Sequence, residues 1–209
     1  MLFTIASNLF YSKKNKIMLQ QLINTLTRKG YTINTKPFEI NIVGVRNSNN
    51  KPNSFDDTIN IFYKREDGQW IINTCKATTD PGTYWLKTFM NPNGTAILKP
   101  GQYKNSHHIG VHCGKYQALV QQNPVTVWRD ANKDDTLDFN NAKEQTGIFG
   151  INIHRANSKG VTVTIDKHSA GCQVFADIKD FELLMELAQR HKRMYGNNFT
   201  YTLLEEKEL

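Results

Sequence analysis

The chain is short of cysteine, of proline and of long apolar runs, and each shortage closes off a class of protein. Three cysteines in 209 residues, Cys75, Cys113 and Cys172, are too few for a disulfide scaffold, and their odd number leaves at least one thiol free unless pairing is intermolecular. A reducing compartment at synthesis is the simpler setting. No apolar run approaches the length needed to cross a bilayer, so no membrane span is expected. Met1-Leu2-Phe3-Thr4-Ile5-Ala6 is weakly apolar, but no basic residue precedes it and Ser7 and Asn8 break it, so no signal peptide is recognised. The sequence also shows no internal repeat, low-complexity tract or coiled-coil signature, and its oligomeric state is left open.

What is there is the composition of a folded globular protein, 39% hydrophobic and 22% charged, with length enough for one core and an appendage. Acidic residues (19) are outnumbered by basic ones (26), and the net charge of +7 favours an anionic partner. Basic residues cluster only at Lys13-Lys14-Asn15-Lys16 and Arg190-His191-Lys192-Arg193, which read as solvated helix ends. No recognition helix, zinc knuckle or aromatic-basic repeat accompanies them, so no nucleic-acid partner is expected.

Leu19, Leu22, Ile23 and Leu26 follow helical spacing within Lys14–Lys29, and Gly30 marks a stop. This predicts an N-terminal helical extension over residues 1–36, ahead of a main domain over 37–209. Strands are expected near Phe38–Val45, Thr58–Tyr63, Trp70–Thr74, Thr83–Thr88, Thr95–Leu98, Tyr116–Gln121, Val125–Arg129 and Gly150–His154. Asp-Gly, Pro-Gly and Asn-Pro-Asn-Gly turns punctuate them. A helix over Ile178–Tyr195, with Asp177 as N-cap and Gly196 as stop, precedes a last strand at Phe199–Leu204. The fold class is therefore mainly β, a sandwich or barrel with one helix at each end.

Chemistry concentrates at Ser169-Ala170-Gly171-Cys172, with His154 eighteen residues before the thiol at the end of an apolar run. A thiol needs an imidazole to stabilise or take its proton, and the same imidazole can later protonate a leaving group. Small residues before the thiol allow a tight turn, in which the amides of Gly171 and Cys172 can face a carbonyl oxygen as an oxyanion hole.

The run Gly150-Ile151-Asn152-Ile153-His154, followed by Lys167-His168 and Ser169-Ala170-Gly171-Cys172, resembles the active-site signature of the L,D-transpeptidase (YkuD-type) catalytic domain. In that family a strand-borne His precedes a Ser/Thr-His-Gly-Cys turn. Asn93-Gly94-Thr95 through Lys99-Pro100-Gly101-Gln102-Tyr103 is similar to the family's Pro-Gly-x-Tyr segment, and the resemblance spans roughly Phe38 to Phe175. Ala170 stands where the family usually has His, Arg155 where Gly is common, and Gln173-Val174 where an apolar residue and Arg or Asn are usual.

The resemblance implies a β-sandwich-like fold and attack by Cys172 on an amide carbonyl of a peptidoglycan stem peptide, with His154 as base and then acid. It also implies Ser169, or its carbonyl, as the group orienting the imidazole. Arg155, His168, Tyr103 and His112 are the candidate substrate contacts, with Trp85 and Trp128 as further aromatics for a groove. Hydrolysis is favoured over cross-linking, because the sequence shows no signal or anchor that would place it in a growing wall. A phage-encoded lysis or virion-associated factor, or an effector exported by another route, fits a protein cytoplasmic at synthesis that acts on the wall afterwards.

Two other constellations compete. His107, His108, His112 and Cys113, with His154, suggest zinc, though no strong zinc spacing is present; a zinc-dependent wall hydrolase is therefore an alternative. Asp130, Asn132, Asp134 and Asp138 resemble a calcium loop, but Asp135 replaces the usual Gly and Asn141 the usual Glu, so a solvated hairpin tip is preferred and no cofactor is expected. The remaining alternative is a non-catalytic wall-binding or virion structural module with the same fold.

Overall fold

In the computed structural model, which describes residues 13–49, 51–139 and 142–209, eleven strands form two sheets. The weakly apolar stretch Met1–Ala6 and Asn141 of the acidic loop lie outside the described residues. The strands are β1 (Asn41–Arg46), β2 (Asp57–Lys64), β3 (Trp70–Thr78), β4 (Thr95–Leu98), β5 (Gly101–His112), β6 (Tyr116–Gln121), β7 (Val125–Asp130), β8 (Lys143–Gly147), β9 (Ile153–Arg155), β10 (Gln173–Phe175) and β11 (Phe199–Glu205). Eight close a barrel in the order β1-β11-β5-β6-β9-β10-β3-β2, and β4-β7-β8 form a separate sheet. The β1/β11 and β9/β10 pairs are parallel, and the other barrel pairs are antiparallel.

Strand alternation supplies the barrel with a core. Ile59, Ile61, Cys75, Leu119, Ile153, Phe175 and Tyr201 cluster with Phe181, Leu184, Leu187 and Ala188 of helix α3 (Ile178–Tyr195). The side chain of Asp177 accepts the Lys179 amide, which starts α3 as its capping chemistry predicts. Helix α1 (Lys13–Arg28) buries Leu19, Leu22 and Leu26 against Val43, Val45, Phe62, Ile72 and Leu204. The side chains of Thr25 and Arg28 both donate to the carbonyl of Glu208. The helical segment is thus docked on the barrel. Leu22 is fully buried, and Leu22→Ala should cost about 3 kcal/mol of unfolding free energy, read by denaturant titration.

One expected strand is a helix. Thr83–Lys87 forms the short helix α2, in which Leu86 is fully buried against Ile97 of β4, Trp128 of β7, Leu137 and Phe139. The Gly150–His154 strand is shorter than expected, and the strands β5, β8 and β10 emerge in full only here. Gln173, one of the departures from the family pattern, faces the barrel interior. There its side-chain oxygen accepts the Tyr201 hydroxyl at 2.8 Å. Val174 points the other way and packs with Phe55, Ile165 and Ala176.

A buried charge network closes the barrel beside this point. Arg46, 2% exposed, lies 2.8 Å from Asp80 and donates to the hydroxyl and carbonyl of Thr79. Asp57 accepts from the amide and hydroxyl of Thr79 and from the Asn47 amide. Burial raises both carboxyls, Asp80 to about 7 against the pull of Arg46.

Candidate active site

Cys172 is carried on a turn that only glycine could complete. Gly171 has φ +116°, and a Cβ there would lie 2.2 Å from the carbonyl oxygen of Ala96 in β4. Ser169 holds the turn from inside, its hydroxyl donating to the Cys172 carbonyl at 2.9 Å and accepting the Gly171 amide at 3.1 Å. The Ser169 carbonyl accepts the amide of Gly82, at the start of α2, at 2.9 Å. The thiol of Cys172 donates to the carbonyl of Gly150 at 3.3 Å.

The parallel register of β9 and β10 sets Val174 beside His154 and Gln173 beside Ile153. Paired side chains of parallel strands project to one face, so His154 shares a face with Val174, while Asn152 and Cys172 stand immediately before the two strands, the Gln173 amide donating to the Asn152 carbonyl. His154 is buried, and its Nδ1 lies 2.8 Å from the Arg155 carbonyl. A carbonyl only accepts, so Nδ1 carries the proton and Nε2 keeps the lone pair that a base needs. The Tyr116 hydroxyl donates to the same carbonyl at 3.3 Å, and the Arg155 guanidinium covers the Tyr116 ring at 4.2 Å.

His112 stacks on His154 with ring centroids 4.1 Å apart and planes inclined by 21°. Its tautomer is fixed from a distance. The Gln121 amide donates to Asn152 Oδ1 at 2.9 Å, so Asn152 Nδ2 donates to His112 Nδ1 at 3.0 Å. His112 Nε2 therefore bears the hydrogen, and it faces the sulfur of the exposed Cys113 at 3.4 Å.

Desolvation keeps both the thiol and the imidazole neutral. Desolvation lowers His154 to about 3, with His112 and His168 adding repulsion to any charge on it. Desolvation also pushes the Cys172 thiol up to about 11, despite the Asn152 amide beside it. A ready-made thiolate, the expectation for a thiol near an imidazole, is not what the site holds. In the unliganded protein, alkylation by iodoacetamide should modify exposed Cys113 first. Labelling of Cys172 should climb about tenfold per pH unit between neutrality and its raised pKa, followed by peptide mass spectrometry.

Several expected contacts fall elsewhere. Ser169 shapes the turn, and the group that orients His154 is the backbone carbonyl of Arg155. The Gly171 amide is occupied by Ser169, so an oxyanion hole would draw on it only once that bond opens. His168 is exposed on the loop leading to the turn. Tyr103 directs its hydroxyl to the carbonyls of Lys99 and Thr126 and ties β5 to the small sheet. His107 points into the barrel against the Ile151 carbonyl, which separates it from His108 and His112. Among the described residues no three His, Cys, Asp or Glu side chains converge in a metal-binding arrangement. In the acidic loop, the Asn132 amide donates to Asp134 and Asp138, and Asp134 accepts from Thr136, which are hairpin-tip bonds.

Asn152 and Tyr116 are the residues in contact with His112 and His154 that sequence reasoning missed. Asn152 stood inside the motif, two residues before His154 on a strand, which was the available signal. No helix among the described residues is long and apolar enough to cross a membrane. Comparison with family models, with curated proteins and with solved structures gave no match.

Proposed function

We propose that the protein is a cysteine-dependent acyl transferase acting on peptide bonds of peptidoglycan stem peptides, with water as the acceptor. The observation that supports the chemistry is that His154 sits on β9 while Cys172 immediately precedes its parallel partner β10, with Nε2 of His154 left as the free base. The substrate class rests on the resemblance of the Ser169–Cys172 turn and its upstream His to the L,D-transpeptidase signature.

Because neither group is ionised at rest, proton transfer accompanies attack. The Cys172 proton passes to His154 Nε2 as sulfur bonds to the carbonyl carbon and the π pair moves to oxygen. The imidazolium, a strong acid in this buried position, gives its proton to the amine nitrogen as the C–N bond breaks, leaving a thioester. Water then loses a proton to His154 and attacks the thioester, and sulfur leaves as the thiol with that proton.

Incubation with purified muropeptides, beside Cys172→Ala and with chelator, tests the reading. Turnover by the native protein that is lost in the variant and kept in chelator is expected. Loss with chelator would instead select metal-dependent hydrolysis. The strongly raised thiol favours a second reading, a non-catalytic wall-binding module, and absence of turnover in every sample would select it.

A further inference from the structure

Beyond the nucleophile turn lies a cleft of about 320 Å³ whose walls include Trp85, Met90, Ile148 and Phe149, and which ends at Ala170. Arg129 lines it as well. Arg129 is 7% exposed and lies over the Phe149 ring at 4.6 Å. Its Nε donates to Gln145 Oε1 at 2.7 Å and its Nη1 to the Gly94 carbonyl at 3.1 Å. Both partners are neutral, and among the described residues no carboxylate lies within ion-pair distance of it. Asp130, next in the chain, projects to the opposite face of β7 by strand alternation.

A buried guanidinium without a counter-charge is costly, and its remaining N–H donors are still available. The cost is recovered when an anion enters, and a guanidinium fork matches a carboxylate best. Position relative to the thiol is set by the sheet. Arg129 pairs with Ala96 across β4/β7, and the Ala96 carbonyl presses on Gly171, the residue before Cys172. Two strand spacings put Arg129 roughly 10 Å from the nucleophile turn. An extended peptide covers that distance in about three residues.

We propose that Arg129 forms a carboxylate subsite, so that the preferred substrate is a peptide with a free carboxylate two to three residues from the carbonyl attacked by Cys172. The apolar walls take the intervening side chains. This rests on the acyl-transfer reading for the identity of the attacked bond, but binding can be measured without turnover.

The test uses full-length Cys172→Ala protein, titrated with acetyl-L-Lys-D-Ala-D-Ala as free acid and as C-terminal amide, with intrinsic tryptophan fluorescence and calorimetry as readouts. The free acid should bind at least about tenfold more tightly than the amide. Adding Arg129→Gln should abolish the difference. Since Arg129 also bridges Gln145 and Gly94, Met90→Glu serves as a second variant: Met90 is 75% exposed, and a charge there should weaken the acid and spare the amide. Equal affinity of acid and amide in the Arg129-containing protein would overturn the subsite. Muropeptide turnover by the native protein with no such preference would overturn the subsite alone. A clear acid preference without turnover would uphold the subsite and discard the acyl-transfer reading.

Discussion

His154→Gln is expected to lower muropeptide turnover by about a thousandfold while leaving the fold intact, because the proposed mechanism routes every proton transfer through this imidazole and Gln fills a similar polar volume. The variant keeps a polar group able to donate to the Arg155 carbonyl, but it has no basic nitrogen at the position of Nε2. Cys172 should remain alkylatable at alkaline pH in this variant, which separates loss of the base from loss of the thiol. Turnover within threefold of native would remove His154 from the mechanism. Exogenous imidazole gives a further check, since restoration of part of the rate would identify the missing group as a proton carrier.

The second large effect lies in stability. Arg46→Met should cost about 3–5 kcal/mol, because it leaves Asp57 and Asp80 in the barrel wall without their cation. The sign of its pH dependence follows from the raised carboxyls. Asp80 has a folded pKa near 7, above its ordinary value, so its neutral form is favoured by folding; that stability is complete below the ordinary carboxylate range and is lost as pH rises through about 7. Without Arg46 the ionised form is penalised further. The gap in melting temperature between variant and native protein should therefore widen from pH 5 to pH 8. A gap that stays constant would mean that Arg46 contributes by packing, for instance through its 5.3 Å contact with the Phe139 ring, and not by charge.

The order of elements was legible wherever a strand or helix carried its own apolar pattern. β4 and β6 begin and end at the expected residues, and α3 follows its capping and termination signals. Elements without such a pattern stayed hidden. β8 is Lys-Glu-Gln-Thr-Gly, an edge strand in which only pairing to β7 dictates the conformation. β5 contains the polar run Asn105-Ser106-His107-His108, and its register against β11 shifts between Phe199 and Tyr201, so no simple alternation marks it. α2 shows the reverse case. Its Thr-Tyr-Trp-Leu composition favours a strand, but the fold buries Leu86 and ties Gly82 to the Ser169–Cys172 turn, and a single helical turn does both.

The site divides along the same line. Cys172 and His154 could be singled out because a thiol after a small-residue turn, with an imidazole upstream, is a combination that suggests thiol chemistry. The Arg155 carbonyl was invisible as an orienting group because every residue has one. Arg129 could not be connected to the turn without the pairing of β4 with β7, since more than forty positions separate it from Cys172 in sequence. The tautomer of His112 depends on a relay through Gln121 and Asn152 from three different strands or their flanks, which no local pattern encodes.

The closure of the barrel also sets a timetable. β11 lies between β1 and β5, and its parallel partner β1 is made more than 150 residues earlier. Until Phe199–Glu205 has left the ribosome, β1 and β5 both present open edges and Gln173 lacks the Tyr201 hydroxyl that anchors the strand beginning next to Cys172. The strand that begins next to Cys172 thus gains this anchor late, and a nascent chain carries the thiol before the anchor is in place.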